Sequence, residues 1–209
     1  RSSDLNHRVK ITYSSKASEV QNGMCFQSRP TVRDHAGTFF WKSKDITMTS
    51  LDIHFLHGFG MVGQHSENIT MDDVDFEAPK ESGRTTAGYA DFVQMSGCKG
   101  TINISNCTFA GPHDDPINIH GTFNTVTAIS SDRRTITVQY NHNETAGFPN
   151  FFEGDEIEFM TKGNMITVED SVRTVTKVDG PDGMGGNMGD GSGSLTTIKL
   201  TLNEAVPSD

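Results

Sequence analysis

Apolar and polar residues alternate in short runs through the first 122 residues, the period-2 pattern of strands that bury one face. Three runs superpose without gaps: Asp45-Ile-Thr-Met-Thr-Ser-Leu-Asp-Ile, Asn68-Ile-Thr-Met-Asp-Asp-Val-Asp-Phe and Thr101-Ile-Asn-Ile-Ser-Asn-Cys-Thr-Phe. Their apolar positions coincide as Ile46/Ile69/Ile102, Met48/Met71/Ile104, Leu51/Val74/Cys107 and Ile53/Phe76/Phe109. The period is 23 residues and then 33, because Glu77 to Thr86 reads as a loop inserted in the second copy. Units of this length, with several short strands and no helix, predict the coils of a parallel β-helix. A leucine-rich repeat has a similar period, but its Leu and Asn signature is missing. Coils stack about 4.8 Å apart, the spacing of hydrogen-bonded strands, with the Ile, Met, Val and Phe column inward. No segment carries a capped 3.6-residue period, so the class is all-β.

Beyond Thr122 the register lapses. Phe123 to Ile129, Thr135 to Tyr140, Glu156 to Met160, Val172 to Val178 and Thr196 to Leu202 read as five strands with tight turns, which favours a small antiparallel barrel or sandwich. The expected division is therefore coils over 1–122 and a barrel-like module over 123–209. A glycine-rich loop spans 179–194, either at the rim of the site or a disordered tip. It lacks the strand-loop-helix context of a phosphate loop.

The repeat also places three acids. Eleven residues before the aligned isoleucines stand His35, Gly58 and Asp91. Counting on from Phe109 brings Asp114 and Asp115 to the same place on the next coil, with one residue of slack. Asp91 and the pair are thus expected on adjoining coils of one exposed sheet face, with Asp34, His35 and His57 at similar places on earlier coils. Stacked like charges destabilise a sheet, which argues for a functional role. Glycoside hydrolysis needs one carboxylic acid and one carboxylate, and crowding separates their protonation states. Coil spacing suits the wider carboxyl separation of inverting enzymes, roughly 6.5–9.5 Å. Two other readings stay open at this point: an Asp-Asp turn cap facing water, and a calcium site.

Composition narrows the partners. The chain holds 33% apolar residues, 21 glycines and a formal net charge of −10. No Lys/Arg patch exists to meet nucleic acid, and the charge disfavours a polyanionic substrate. No apolar run reaches membrane-spanning length. The first residue is Arg1 rather than methionine, so the absence of a signal peptide says nothing about export. Cys25, Cys98 and Cys107 form neither a disulfide framework nor a metal-ligand spacing, and Cys107 reads as a buried thiol. N-x-S/T triplets begin at Asn68, Asn103, Asn106 and Asn143, and read as chance in so Asn-rich a chain. Around the acids, His113 and His120 suit sugar hydroxyls as well as turns, and His57 and His35 do so less strongly. Trp41 suits the apolar face of a sugar ring, with coil-edge packing the plainer role. Arg33 suits an acid or hydroxyl, with a structural ion pair the plainer role. No metal or other cofactor is implied.

The sequences YADFVQMSGCKG around Asp91 and GPHDDPINIHGT around Asp114 and Asp115 resemble the glycoside hydrolase family 110 α-galactosidases, as do FQSRPTVRDHAGTFFWKSKDIT and LHGFGMVGQHSENI upstream. The likeness spans about residues 20 to 122. It implies a bacterial inverting exo-enzyme that removes terminal α-1,3-linked galactose, including that of blood-group B antigens. It implies a right-handed parallel β-helix carrying small β-barrel modules, and a secreted, periplasmic or cell-surface location. It also implies that the chain is truncated at both ends, with oligomerisation left open. By the same resemblance Asp115 is the general acid, while Asp91 and Asp114 place and deprotonate the water. A polygalacturonase-like hydrolase is the alternative, since those enzymes also set one Asp before an Asp-Asp pair and follow with His-Gly. Their downstream Arg-x-Lys is missing here, the lone match being Arg8-Val-Lys10, upstream of every acid. A non-catalytic carbohydrate- or calcium-binding solenoid is the further alternative.

Overall fold

The chain divides into two compact units, residues 1–30 and 31–209. The computed structural model describes residues 10–26, 35–141, 149–180 and 197–208. Within the first unit, residues 10–26 hold no strand and turn on two short bonds, Val20 N to Ala17 O at 3.2 Å and Met24 N to Gln21 O at 3.3 Å.

In the second unit short and long strands alternate: β1 (Thr38–Trp41), β2 (Lys44–Ile53), β3 (Met61–Gln64), β4 (Glu67–Phe76), β5 (Val93–Ser96), β6 (Lys99–Ser105), β7 (Thr108–Phe109) and β8 (Ile117–His120). The short strands form one parallel sheet in the order β1-β3-β5-β8, and the long ones a second parallel sheet, β2-β4-β6, with β7 beside β4. The chain therefore crosses from sheet to sheet and returns one rung further on. Repeat positions pair as their alignment predicts: Ile46 with Ile69 and Ile102, Met48 with Met71 and Ile104, Ile53 with Phe76 and Phe109.

Period-2 alternation decides the core. In the short-strand sheet the columns Thr38/Met61/Val93/Ile117 and Phe40/Gly63/Met95/Ile119 turn inward. There Met61, Val93 and Met95 pack with Ile69, Met71, Val74 and Phe76 of the facing sheet, all at most 2% exposed. Three rings stack across the coils: Phe76 lies 5.4 Å from Phe92 and 5.1 Å from Phe109, nearly parallel to both. Cys107 packs against this core but is half-buried, its thiol donating to Ser105 O.

The corners explain how so sharp a path holds. Left-handed backbone recurs in columns: Lys42/His65/Gly97, Asp45/Asn68/Gly100 and Ser50/Asp73/Asn106 all have φ between 48° and 72°. Such conformations cost a non-glycine residue about 1–2 kcal/mol, least for Asn and Asp, whose side chains bond locally. Asn68 Nδ2 donates to Asp45 Oδ1 at 2.8 Å, while Asn68 Oδ1 accepts from Thr101 N. On the same sheet Ser105 Oγ and Asn106 Nδ2 each donate to Asp72 Oδ1 at 2.8 Å. Those donors, Ser105 first, hold the Asp72 carboxyl below its ordinary value.

One irregularity matters for the site. The β4–β6 pairing shifts from Glu67↔Lys99 to Ile69↔Ile102, beside Gly100. Nine of the ten extra residues of the longer repeat thus lie before this corner and one lies in the bulge. The Glu77–Thr86 insertion itself contains a single 3-10 turn, Lys80–Ser82, closed by Gly83 at φ 67°.

From Asn124 the strands become antiparallel. β9 (Asn124–Ile129), β10 (Thr135–Tyr140), β11 (Glu156–Ile157), β12 (Arg173–Asp179) and β13 (Thr197–Leu202) form one sheet in the order β11-β12-β13-β10-β9. Alternate residues of β10 and β13 build a second core: Ile136, Val138, Tyr140, Ile198, Leu200 and Leu202, joined by Val175 and Val206. Burial pushes the Tyr140 phenol up to about 12. Among the described residues there is no α-helix, and no helix is long and apolar enough to cross a membrane.

Candidate active site

Asp91 stands two residues before β5, and Asp114 and Asp115 stand just before β8. Those strands pair as Val93↔Ile117 through Ser96↔His120. The ladder continues upstream, because Phe92 N donates to Asp115 O at 3.1 Å and Val93 N to Pro116 O at 3.2 Å. In that register Asp91 lies opposite Asp115, one rung of about 4.8 Å away, with Asp114 next to it along the chain. On the other side, Met61↔Val93 pairing sets Phe59 level with Asp91. Counting back from the isoleucines put Gly58 there. The bulge at Gly100 moves the alignment by one residue, a shift that no count without the bulge reveals.

The direction of Asp91 follows from a partner outside its own coil. Its Oδ2 accepts from Asn118 Nδ2 at 3.3 Å. Asn118 belongs to the column Phe39/Val62/Gln94/Asn118, between the inward columns, and so faces out of the sheet. The Asp91 carboxylate is therefore on the outer side of the short-strand sheet and not in the apolar core. It is nevertheless enclosed, at 3% exposure, whereas Asp114 and Asp115 are exposed. Asn118 escaped the sequence reading. Its signal was the alternation Ile117-Asn118-Ile119-His120, which turns Asn118 and His120 to the same side.

The remaining candidates fall into two groups. His113 is half-buried and immediately precedes the acidic pair. His57 is exposed, its ring 6.3 Å from that of His35. The bridge Leu56↔Gly88 sets His57 level with Tyr89, two residues from Asp91. His120 and Trp41 lie elsewhere. They end the outward column Trp41/Gln64/Ser96/His120 at the far end of the short strands. His120 is five residues past Asp115, about 17 Å of extended chain at ~3.3 Å per residue, and its Nδ1 meets Gly121 O at 2.9 Å. Trp41 is 41% exposed and its ring lies 6.2 Å from Phe152, which precedes β11. Phe152 also meets His65 edge-on at 5.1 Å and carries Lys42 Nζ 3.6 Å over its face. Trp41 thus packs at the coil edge against Phe152 and keeps the rest of its ring exposed. Burial lowers the His65 pKa, Lys42 lowers it further, and Asp155 opposes both. Arg33, Asp34 and most of the 179–194 loop lie outside the described residues.

Among the described residues no group of three or more His, Cys, Asp or Glu side chains is arranged to hold a metal ion. A shallow depression of about 220 Å³, lined by Asp52, His54, Asp75, Glu77 and Lys80, contains none of the three acids. Its polar groups serve the coils: Asp75 Oδ1 accepts from Thr108 N, and His54 Nδ1 meets Glu77 O.

Comparison with known proteins covers both parts of the chain. A family model described as GLAA-B beta-barrel domain II matches residues 135–181. Alpha-1,3-galactosidase A of Streptomyces avermitilis is 46% identical over 201 residues, 96% of this chain and 31% of its own length. Alpha-1,3-galactosidase A of Bacteroides thetaiotaomicron is 42% identical over 163 residues, 77% of this chain and 28% of its own length. Alpha-1,3-galactosidase B of the same organism is 33% identical over 140 residues, 67% of this chain and 23% of its own length. The chain spans under a third of the curated relatives it matches.

Proposed function

Because this chain belongs to the family of alpha-1,3-galactosidases A and B, we propose that the protein carrying it is an exo-glycosidase for terminal α-1,3-linked galactose, with Asp91, Asp114 and Asp115 as its catalytic acids. The observation that carries this reading is the pairing of the 91–93 and 115–117 backbones, with Asp91 bonded on the outer side of the sheet. We read the alternating parallel strands between Thr38 and His120 as successive coils of a right-handed β-helix, and the antiparallel strands from Asn124 on as a β-barrel module appended to it. The glycan includes the blood-group B type, and the setting is the periplasm, the cell surface or the medium.

The chemistry needs one proton delivered to the leaving oxygen and one water activated at the anomeric carbon. Side chains diverging from neighbouring rungs of about 4.8 Å fit the inverting separation of roughly 6.5–9.5 Å. His113 and His57, at the level of the acids, serve sugar hydroxyls. Arg33, outside the described residues, is a further proposed substrate contact. His120 and Trp41, a strand's length away, contact only a longer glycan.

The role of each acid is open to direct assignment. The resemblance gives proton delivery to Asp115, with Asp91 and Asp114 on the water. The enclosure of Asp91 against the exposure of the pair favours setting one acid against two, with water held by the pair that solvent reaches. A leaving-group series decides. The Asp→Asn variant of the proton donor keeps its rate on a nitrophenyl galactoside, whose leaving group needs little protonation, and loses it on a disaccharide. The function itself is tested by incubating the full-length protein with an α-1,3-galactosyl disaccharide and following the first-formed galactose by NMR. β-Galactose appearing first is expected. First-formed α-galactose contradicts inversion, and no release of galactose ends the glycosidase reading.

A further inference from the structure

We infer that Asn118 is a positioning residue that fixes the Asp91 carboxylate from the neighbouring coil. The inference rests on the reading of Asp91 as a catalytic acid. Asp91 stands two residues upstream of β5, whose Val93 to Ser96 are paired on both sides. Backbone pairing does not set side-chain torsions, so the enclosed carboxylate takes its orientation from the side chains that meet it. Asn118 is placed to supply it. It sits inside β8 between Ile117 and Ile119, which pair with Val93 and Met95, so its own backbone is fixed by the strand that follows Asp91.

The residue type matches the task. An amide donates at every pH and cannot become a second charge beside Asp91. A Gln is one methylene too long for a contact of 3.3 Å across adjacent rungs. An Asp has the right shape but would replace a donor by a like charge against the Asp91 carboxylate, which is unfavourable at a contact of 3.3 Å. Groups held within reach of the reacting atoms lose about 100-fold in rate for a displacement near 1 Å. The loss from removing Asn118 should therefore fall on kcat and leave KM nearly unchanged.

The test uses the full-length protein and an α-1,3-galactosyl disaccharide, with Asn118→Ala, Asn118→Asp, Asp91→Asn and the double variant Asp91→Asn/Asn118→Ala. Asn118→Ala should lower kcat about 10- to 100-fold with KM within about threefold of the parent, and Asn118→Asp should lose at least as much despite its shape. The double variant should be no slower than Asp91→Asn alone, since the group that Asn118 positions is already gone. An Asn118→Ala variant within twofold of the parent kcat overturns the inference, and so does an additive cycle, which would mark a structural lesion. Full activity in Asp91→Asn would instead sink the catalytic reading on which the inference stands.

Discussion

Replacing Gly60 by Ala probes the seam between the fold and the site. Gly60 has φ +77°, and a Cβ there would lie 2.1 Å from Asp91 O and 2.9 Å from Phe92 O. Both obstacles are backbone, so no rotamer relieves them. Ordinary contact begins at 3.4 Å, which demands that the Asp91 carbonyl retreat by about 1.3 Å or that Gly60 move as far. Gly60 is itself tied on both sides: its N donates to His57 O, and its O accepts from Gly37 N at 2.7 Å. The left-handed backbone adds about 1–2 kcal/mol of strain for Ala, and overpacking about 1–3 kcal/mol more. A total near 3 kcal/mol corresponds to roughly 10 °C in Tm for a body of this size. A displacement of that order at Asp91 should lower kcat about 100-fold. Gly83→Ala is the control: φ is +67° there too, but nothing lies within 4 Å of the added carbon. It should lose a few degrees of Tm and no activity. Calorimetry of both variants and initial rates well below either transition give the comparison. If Gly60→Ala matches Gly83→Ala in both respects, the close approach of the two coils at Asp91 is wrong.

Three further expectations concern the scaffold. Phe76→Ala, which removes a fully buried ring stacked on Phe92 and Phe109, should destabilise by about 4 kcal/mol in denaturant unfolding; a loss under about 1 kcal/mol would show that this stack is not the core. His65 should make stability fall with acid. Its pKa is depressed in the fold, chiefly by burial, so below the ordinary value of 6.5 the unfolded chain takes up a proton that the folded chain refuses. His65→Gln should therefore flatten Tm between pH 7 and 5, and parallel curves for variant and parent would refute this. Phe152→Ala strips a half-buried ring from Trp41, His65 and Lys42 and should cost about 2 kcal/mol; an unchanged Tm would mean that this contact carries no stability.

The repeat was legible because its apolar column is fixed by one simple rule. Inward residues must be apolar on every coil, and Ile46, Ile69 and Ile102 pair as they align. The antiparallel strands were legible for the same reason, since Thr135–Tyr140 and Thr197–Leu202 bury alternate residues. The bulge beside Gly100 was not, because inserting one residue changes pairing without changing the hydrophobic pattern on either side. The left-handed corners were only half visible: Gly97 and Gly100 announce one, but Lys42 and His65 occupy equivalent positions with ordinary side chains. Asn118 and Phe152 were missed for another reason. Each acts on a residue 27 or more positions away, and no local period carries that information.

The most direct test of the whole account is the rate of galactose release from an α-1,3-galactosyl disaccharide by full-length Asp91→Asn, Asp114→Asn and Asp115→Asn, each measured beside its Tm. Every one of the three should lose at least about 100-fold while unfolding within a few degrees of the parent. A single variant that retains the parental rate would remove its residue from the site and contradict the trio.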